Sequence, residues 1–376
     1  MSPFRSALGN EVRRLAKSPL DLSLLTLLPA VMLALMAAMI SPGSLSHLKV
    51  VVVDRDGGAS ARRIVRAVEA SPHLELARVT GNIVEALSAV RREDAFAILV
   101  IPHGLEDVSP KSAPIEIFYE GQFLAAGNLA ATYTELAVQS ALVSGAPQHL
   151  GISGAQALRL ARPGVKISLL GNPTLSLEWY LGLLLGPATL HLLIAVSVIG
   201  SIGTALCEGY LQSESRGALT LPCSFAARLS PHIAAGTLWG IVWMLWLTLA
   251  RGYRFEGSLI AAVIGLFLLF CATAAIGLLL IIAIRNVATA LSGAVIIAGS
   301  ALAYSGASLP IAGAPVIARF WSAVLPLTHY LRLQMAVVAG AGAAPIVREL
   351  LLLLLYPILA GGVTIALIWY RQGSER

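Results

Sequence analysis

The sequence predicts a membrane protein, mainly α, with six transmembrane helices, an amphipathic helix ahead of the first and an α/β domain inserted after it. Three observations carry that prediction. Of 376 residues, 57% are hydrophobic and 12% charged, with a mean hydropathy of +0.80, outside the composition of soluble domains. Six runs are apolar and long enough to cross a bilayer, which takes about 20 residues. Between the first and second runs, residues 41–177 change to alternating strand and helix patterns.

Residues 3–17, PFRSALGNEVRRLAK, place Phe4, Leu8, Val12 and Leu15 at helical spacing with charges on the other face. That suits a helix lying on the cytoplasmic membrane surface within residues 1–19. Pro19 breaks into the first span, 20–40, where Pro29 is expected to kink the helix. The apolar run is span length and no small-residue cleavage site stands out, so it does not read as a cleaved signal peptide.

In the inserted segment LKVVVVD, LELARVT, AFAILVIP and APIEIFYEG read as strands, and ASARRIVRAVEA and NIVEALSAVRRED as helices. Asn82, with Glu85 three residues on, has the form of a capping box. A further helix is expected from about Asn128 to Val143 before the chain returns to the membrane. The result is an α/β domain of ordinary size, tethered at both ends.

The other spans, within 178–376, are Leu181–Leu206, Pro231–Ala250, Leu259–Ile284, Val287–Tyr304 and Leu350–Tyr370. Residues 207–230 form a loop between the second and third. Residues 305–345, too broken by Gly and Pro to span and too apolar for a plain surface loop, are expected to form short helices dipping into the outer leaflet. Irregular backbone at that depth must be buried in protein or line a wet cavity, which makes His191, Ser305, Gly306 and Pro310 candidates for a transport path or outer gate. His191 reads either as a substrate contact or proton site, or as a packed side chain with its hydrogen bond satisfied.

Lys and Arg favour the cytoplasmic flanks of spans. Arg5, Arg13, Arg14 and Lys17 precede span one, Arg216 and Arg228 follow span two, Arg285 follows span four, and Arg371 and Arg376 follow span six. Both termini are therefore expected in the cytoplasm, with Arg251 and Arg254 as exceptions. The net charge of +6 comes with no basic stripe of interleaved aromatics, so nucleic acid is not the expected partner. Cys207 and Cys223 fall in the predicted cytoplasmic loop and Cys271 in span four, which gives no disulfide framework.

Asp54-Arg55-Asp56-Gly57-Gly58 after four valines has the form in which a haloacid-dehalogenase phosphatase presents its nucleophile. The partner groups such an enzyme needs do not follow at fold-scale spacing; Glu106, Asp107 and Lys111 crowd together after one strand. The plainer reading is a strand-to-helix turn, with Asp56 or Ser60 as cap. Trp239, Trp243 and Trp246 recur on one face of span three, either packed or as contacts for an aromatic substrate or partner. The seven histidines are dispersed and suggest no metal site. No G-x-x-x-x-G-K-[ST] loop occurs, since no lysine follows a glycine, so this chain cannot bind ATP that way itself.

The order of these parts resembles the type-2 ATP-binding-cassette transport permeases, in the branch with a large extracytoplasmic domain after the first span. The matching stretches are NEVRRLAKSPLDLSLLTLLPAVM, LKVVVVDRDGGASARRIVRAVEASPHLEL with AFAILVIPHGLE, GNPTLSLEWYLG, FEGSL with IAIRNVATAL, and SGASLP with LPLTHYLRLQMAVVAGAG. The resemblance implies a multidrug or lipid exporter permease in the bacterial inner membrane, paired with a second permease subunit and two cytoplasmic ATPase subunits that bind ATP and Mg. It leaves room for a periplasmic adaptor and gives this chain no cofactor or catalysis of its own. The N-terminal helix becomes an elbow helix, with Glu11 and Arg14 at its interface. CEGYLQSESRGALTLPCSF becomes the coupling loop, with Glu208, Glu214, Arg216, Gly217, Leu219 and Pro222 facing the ATPase; Gly-Ala stands where the family has Gly-Thr. The reading from another class is a membrane-anchored receptor or scaffold whose outer domain binds a partner without transport.

Overall fold

The computed structural model describes residues 3–40, 47–92, 94–104, 114–119, 124–150, 176–207, 220–307, 311 and 313–374. They fall into two compact units, residues 42–168 and residues 1–41 with 169–376.

The chain opens with α1 (Pro3–Lys17), whose buried face includes Ala7, Glu11 and Leu15. Ser18 caps α2 (Pro19–Leu25) by accepting from the Asp21 amide, and α3 (Leu27–Ile40) completes the first candidate span. The break falls at Thr26, three residues ahead of the proline expected to cause it. Pro29 cannot donate to the Leu25 carbonyl, and the Trp239 indole N–H takes its place at 2.9 Å. A kink in an apolar environment therefore leaves no carbonyl stranded there.

In the inserted unit, β1 (Leu48–Asp54), α4 (Ala59–Glu69), β2 (Leu74–Thr80), α5 (Ile83–Arg91), β3 (Ala97–Ile101), β4 (Glu116–Tyr119) and α6 (Leu124–Leu150) follow in order. The sheet runs β2-β1-β3-β4, with β1 parallel to both its neighbours and β4 antiparallel at the edge. Val52 pairs with Leu99, and β1 and β3 are buried almost throughout, as strands covered on both faces must be. Val51, Val53, Ile98 and Val100 pack with Ala86 and Val90 of α5; the alternate valines face the opposite side.

Asp54 Oδ1 accepts the amides of Asp56 and Gly57, and the Asp56 carboxylate accepts those of Gly58 and Gly104. Gly57 adopts φ +64°, which the turn requires. Helix α4 begins at Gly58 with no side-chain cap, so neither Asp56 nor Ser60 plays the capping role. Asn82 does cap α5, but the reciprocal half of the box is not made: its own amide donates to Thr80 Oγ1, and Glu85 binds Thr80 and Arg78 instead.

The second unit continues with α7 (Leu177–Cys207), α8 (Thr220–Leu245, ending in a π-turn through Ala250), α9 (Leu259–Ile284) and α10 (Val287–Tyr304). The short helices α11 (Val316–Val324) and α12 (Pro326–Val338) precede α13 (Ala343–Ser374). With α2–α3, five of these make six helices long and apolar enough to cross a membrane. Helices α11 and α12 are the short pieces expected within 305–345. Helix α8 starts at Thr220, so residues 220–230, read as loop, are helical and continuous with the span. Pro231 lies inside it, and Ser230 Oγ donates to the Ala227 carbonyl that Pro231 leaves without a partner.

Successive spans run in opposite directions. Arg371, late in α13, donates to the carbonyls of Ile282 and Ala283 at the end of α9, whereas Gly257, ahead of α9, donates to Val337 at the end of α12. The bundle thus has an elbow end, where α1 lies, and an opposite end.

Candidate functional site at the elbow end of the bundle

The face of α1 that buries Ala7 and Leu15 also buries Glu11, which has no exposed surface. A buried carboxylate must be paired or neutralised. Its Oε1 accepts Ser201 Oγ at 2.5 Å and Arg14 Nη2 at 2.9 Å, and its Oε2 lies 3.5 Å from Arg228 Nη1. Arg14 also contacts Ser201 and reaches Asp21 at 2.9 Å. His232 Nε2 stands 3.6 Å from Glu11, while its Nδ1 meets Ser197 at 2.9 Å. Burial alone would raise the Glu11 pKa, but His232, Arg14 and Ser201 outweigh it and hold the group at about 2.

One carboxylate therefore ties three helices together, α1, α7 and α8, and Arg14 adds α2 through Asp21. Ser197 and Ser201 stand near the end of α7 and Arg228 and His232 near the start of α8, so both helices flanking residues 208–219 are bound to the elbow. Ser197 with Ser201, and Arg228 with His232, are i,i+4 polar pairs in apolar helices. That pattern was visible in the sequence and marks a shared face.

A second network closes the opposite end. Arg251 grips buried Glu178 with two bonds of 2.7 and 2.8 Å, Tyr253 donates to the same carboxylate at 2.8 Å, and Ser176 meets Tyr253 at 2.5 Å. Arg251, an exception to the expected charge distribution, is paired here. Its pKa rises through the hydrogen bond to Glu178. Between the two ends, Trp243 Nε1 donates to the Gly182 carbonyl at 2.8 Å and the indole lies across Gly186, where an added Cβ would meet it at 2.2 Å. Trp243 stacks on Trp246, and Trp239 serves Leu25. The tryptophan stripe is packing.

The candidate path residues lie in separate networks. His191 is buried, with Nδ1 2.6 Å from Thr273 Oγ1, and borders a small pocket with Gly277, Ala294 and Ala298. Ser305 caps α10 and bonds Leu302, and Gly306 has φ +77°. Pro222 sits in the first turn of α8, where a missing amide removes no intrahelical bond. Glu208, Glu214, Arg216, Gly217, Leu219 and Pro310 lie outside the described residues. Among the described residues no group of three or more metal-binding side chains occurs, and the cysteines are free.

A family model described as ABC-2 family transporter protein matches residues 21–367, which takes in every span and the inserted unit and leaves out α1. No curated protein matches the chain.

Proposed function

The chain belongs to the ABC-2 family of transporter proteins and is a permease component of an ATP-binding-cassette transporter, and from that premise we propose that it exports a hydrophobic or amphipathic compound, drug-like or lipid, from the cytoplasm or inner leaflet. Two permease subunits, identical or sister chains, pair with two cytoplasmic ATPase subunits in a bacterial inner membrane, with both termini inside. ATP and Mg are held by those ATPase subunits. The inserted α/β unit faces outward and guides release or receives a periplasmic adaptor.

The observation that supports this reading is the Glu11 network. It binds the elbow to both helices that lead into residues 208–219, so a pull on that segment would move three helices together. In the proposed roles Glu208, Glu214, Arg216, Gly217, Leu219 and Pro222 meet the ATPase, Glu11 and Arg14 carry the motion to the elbow, and His191, Ser305, Gly306 and Pro310 border the path or its outer gate. Closure of an ATPase dimer would supply the movement.

Inside-out vesicles containing the chain and its co-purified ATPase should accumulate substrate only with hydrolysable ATP. Inactivating the ATPase should abolish accumulation while the complex still assembles. Transport by this chain alone, driven by a proton gradient, would overturn the proposal.

A further inference from the structure

A pocket of about 780 Å³ opens beside the elbow, between α1, the start of α2, and the ends of α7 and α8 that face them. Among the described residues its charges do not balance. Arg14 and Arg228 are matched by Glu11 and Asp21. Arg13 and Lys17, one helical turn apart on α1 and both exposed, have no ion-pair partner among the described residues. Two positive charges are therefore left over at the pocket mouth among the described residues. Ser18 Oγ accepts the Asp21 amide and so keeps its hydroxyl proton available for an acceptor.

The same pocket is bordered by Leu20, 77% exposed, from which exposed Leu22, Leu27, Val31 and Leu35 continue along the first span. A free anion would use the cations and leave that apolar run bare. A ligand with an anionic head and hydrocarbon tails would use both.

We propose that this pocket binds the phosphodiester headgroup of an anionic phospholipid, with Arg13, Lys17 and Ser18 on the phosphate and the acyl chains along the span from Leu20. Basic pockets where helices meet the membrane surface attract such lipids, and each cation adds about fivefold in affinity. A zwitterionic phospholipid carries the same phosphate with its charge already cancelled, so the surplus of two positive charges selects against it. The proposal does not depend on what the protein transports.

The test uses the full-length chain in nanodiscs, with native mass spectrometry and thermal melting as readouts, and compares phosphatidylglycerol, phosphatidylcholine and inorganic phosphate. Phosphatidylglycerol should be retained preferentially and raise the melting temperature, with both effects falling as salt rises. Arg13→Ala with Lys17→Ala should weaken retention about 25-fold and leave melting in phosphatidylcholine unchanged, whereas Arg13→Lys with Lys17→Arg should retain the lipid. Equal retention of phosphatidylcholine, or full retention by the double alanine variant, would overturn the proposal. So would an equal effect of inorganic phosphate, which would mark a simple anion site.

Discussion

Replacing Glu11 by Ala should detach the elbow. Two routes give the size of the effect. The carboxylate is held from its ordinary pKa down to about 2, a depression worth about 3 kcal/mol of native stability. Independently, removing one partner of a buried charge pair costs about 3–5 kcal/mol, because the other charge stays behind. Arg14 and Arg228, the latter only 2% exposed, are the cations that lose Glu11 as a partner here. The two estimates agree on roughly 3 kcal/mol, a large part of the stability of a typical domain.

Thermal melting of the purified chain and tryptic cleavage after Arg13 and Lys17 would measure this directly. Glu11→Ala should melt lower and be cut faster at both sites; Glu11→Gln, which keeps one acceptor oxygen for Ser201, should fall between it and wild type. A Glu11→Leu, Arg228→Leu pair should recover part of the loss, since the buried Glu11–Arg228 contact is then removed from both sides. The acid arm has a definite sign. With its folded-state pKa depressed, Glu11 contributes fully above the ordinary carboxylate range, and that contribution disappears as the pH falls to about 2. Unchanged melting and unchanged cleavage in Glu11→Ala would refute the reasoning.

Gly186→Ala drives a methyl into the Trp243 indole and should cost about 1–3 kcal/mol in the melt, with Trp243→Phe recovering part of it. Glu178→Ala should cost less than Glu11→Ala, because Arg251 is 34% exposed and water can take over; equal losses would mean that exposure does not set the cost. Asp56→Ala removes the acceptor for the Gly58 and Gly104 amides and should lower the stability of the inserted unit by about 1–3 kcal/mol. Spin labels on exposed positions of α7 and α8 should keep a fixed separation through the ATPase cycle while an α7–α10 pair changes; a changing α7–α8 distance would defeat the rigid-pair interpretation.

Much of the fold was legible because it rests on patterns of one or two periods. The valines of β1 and the alternation in LELARVT give strand bounds that the structure reproduces, and span lengths follow from hydrocarbon thickness. What was not legible depends on partners distant in sequence. Nothing local says that the Leu25 carbonyl, freed by Pro29, finds Trp239, or that Glu11 finds Ser201, 190 residues away. Arg228 entered the sequence reading only as a topological charge, and its real surroundings depend on α1 crossing the start of α8. Glu178 has no local signature: one carboxylate beside a tryptophan gains a role only when the fold brings Arg251 to it.

The two charged networks gain meaning from what lies between them. Helices α7 and α8 are fastened at the elbow end through Glu11, at the opposite end through Glu178 and Arg251, and one to two turns in from that opposite end by an indole laid on glycines. A pair held at three levels resists both sliding and splaying, because either motion would strand a buried charge. Helix α10 meets α7 differently: its buried residues are Ala290, Ala294, Ala298 and Ala301, with no buried charge among them, and Val295 and Ile296 remain exposed. Small apolar contacts of that kind have no hydrogen bond to break when they shift. On the proposed transport reading, a force applied at residues 208–219 would therefore tilt α7, α8 and the elbow as one body. The slip would occur at the alanine face, beside His191, and a path could open there without unmaking either charged network.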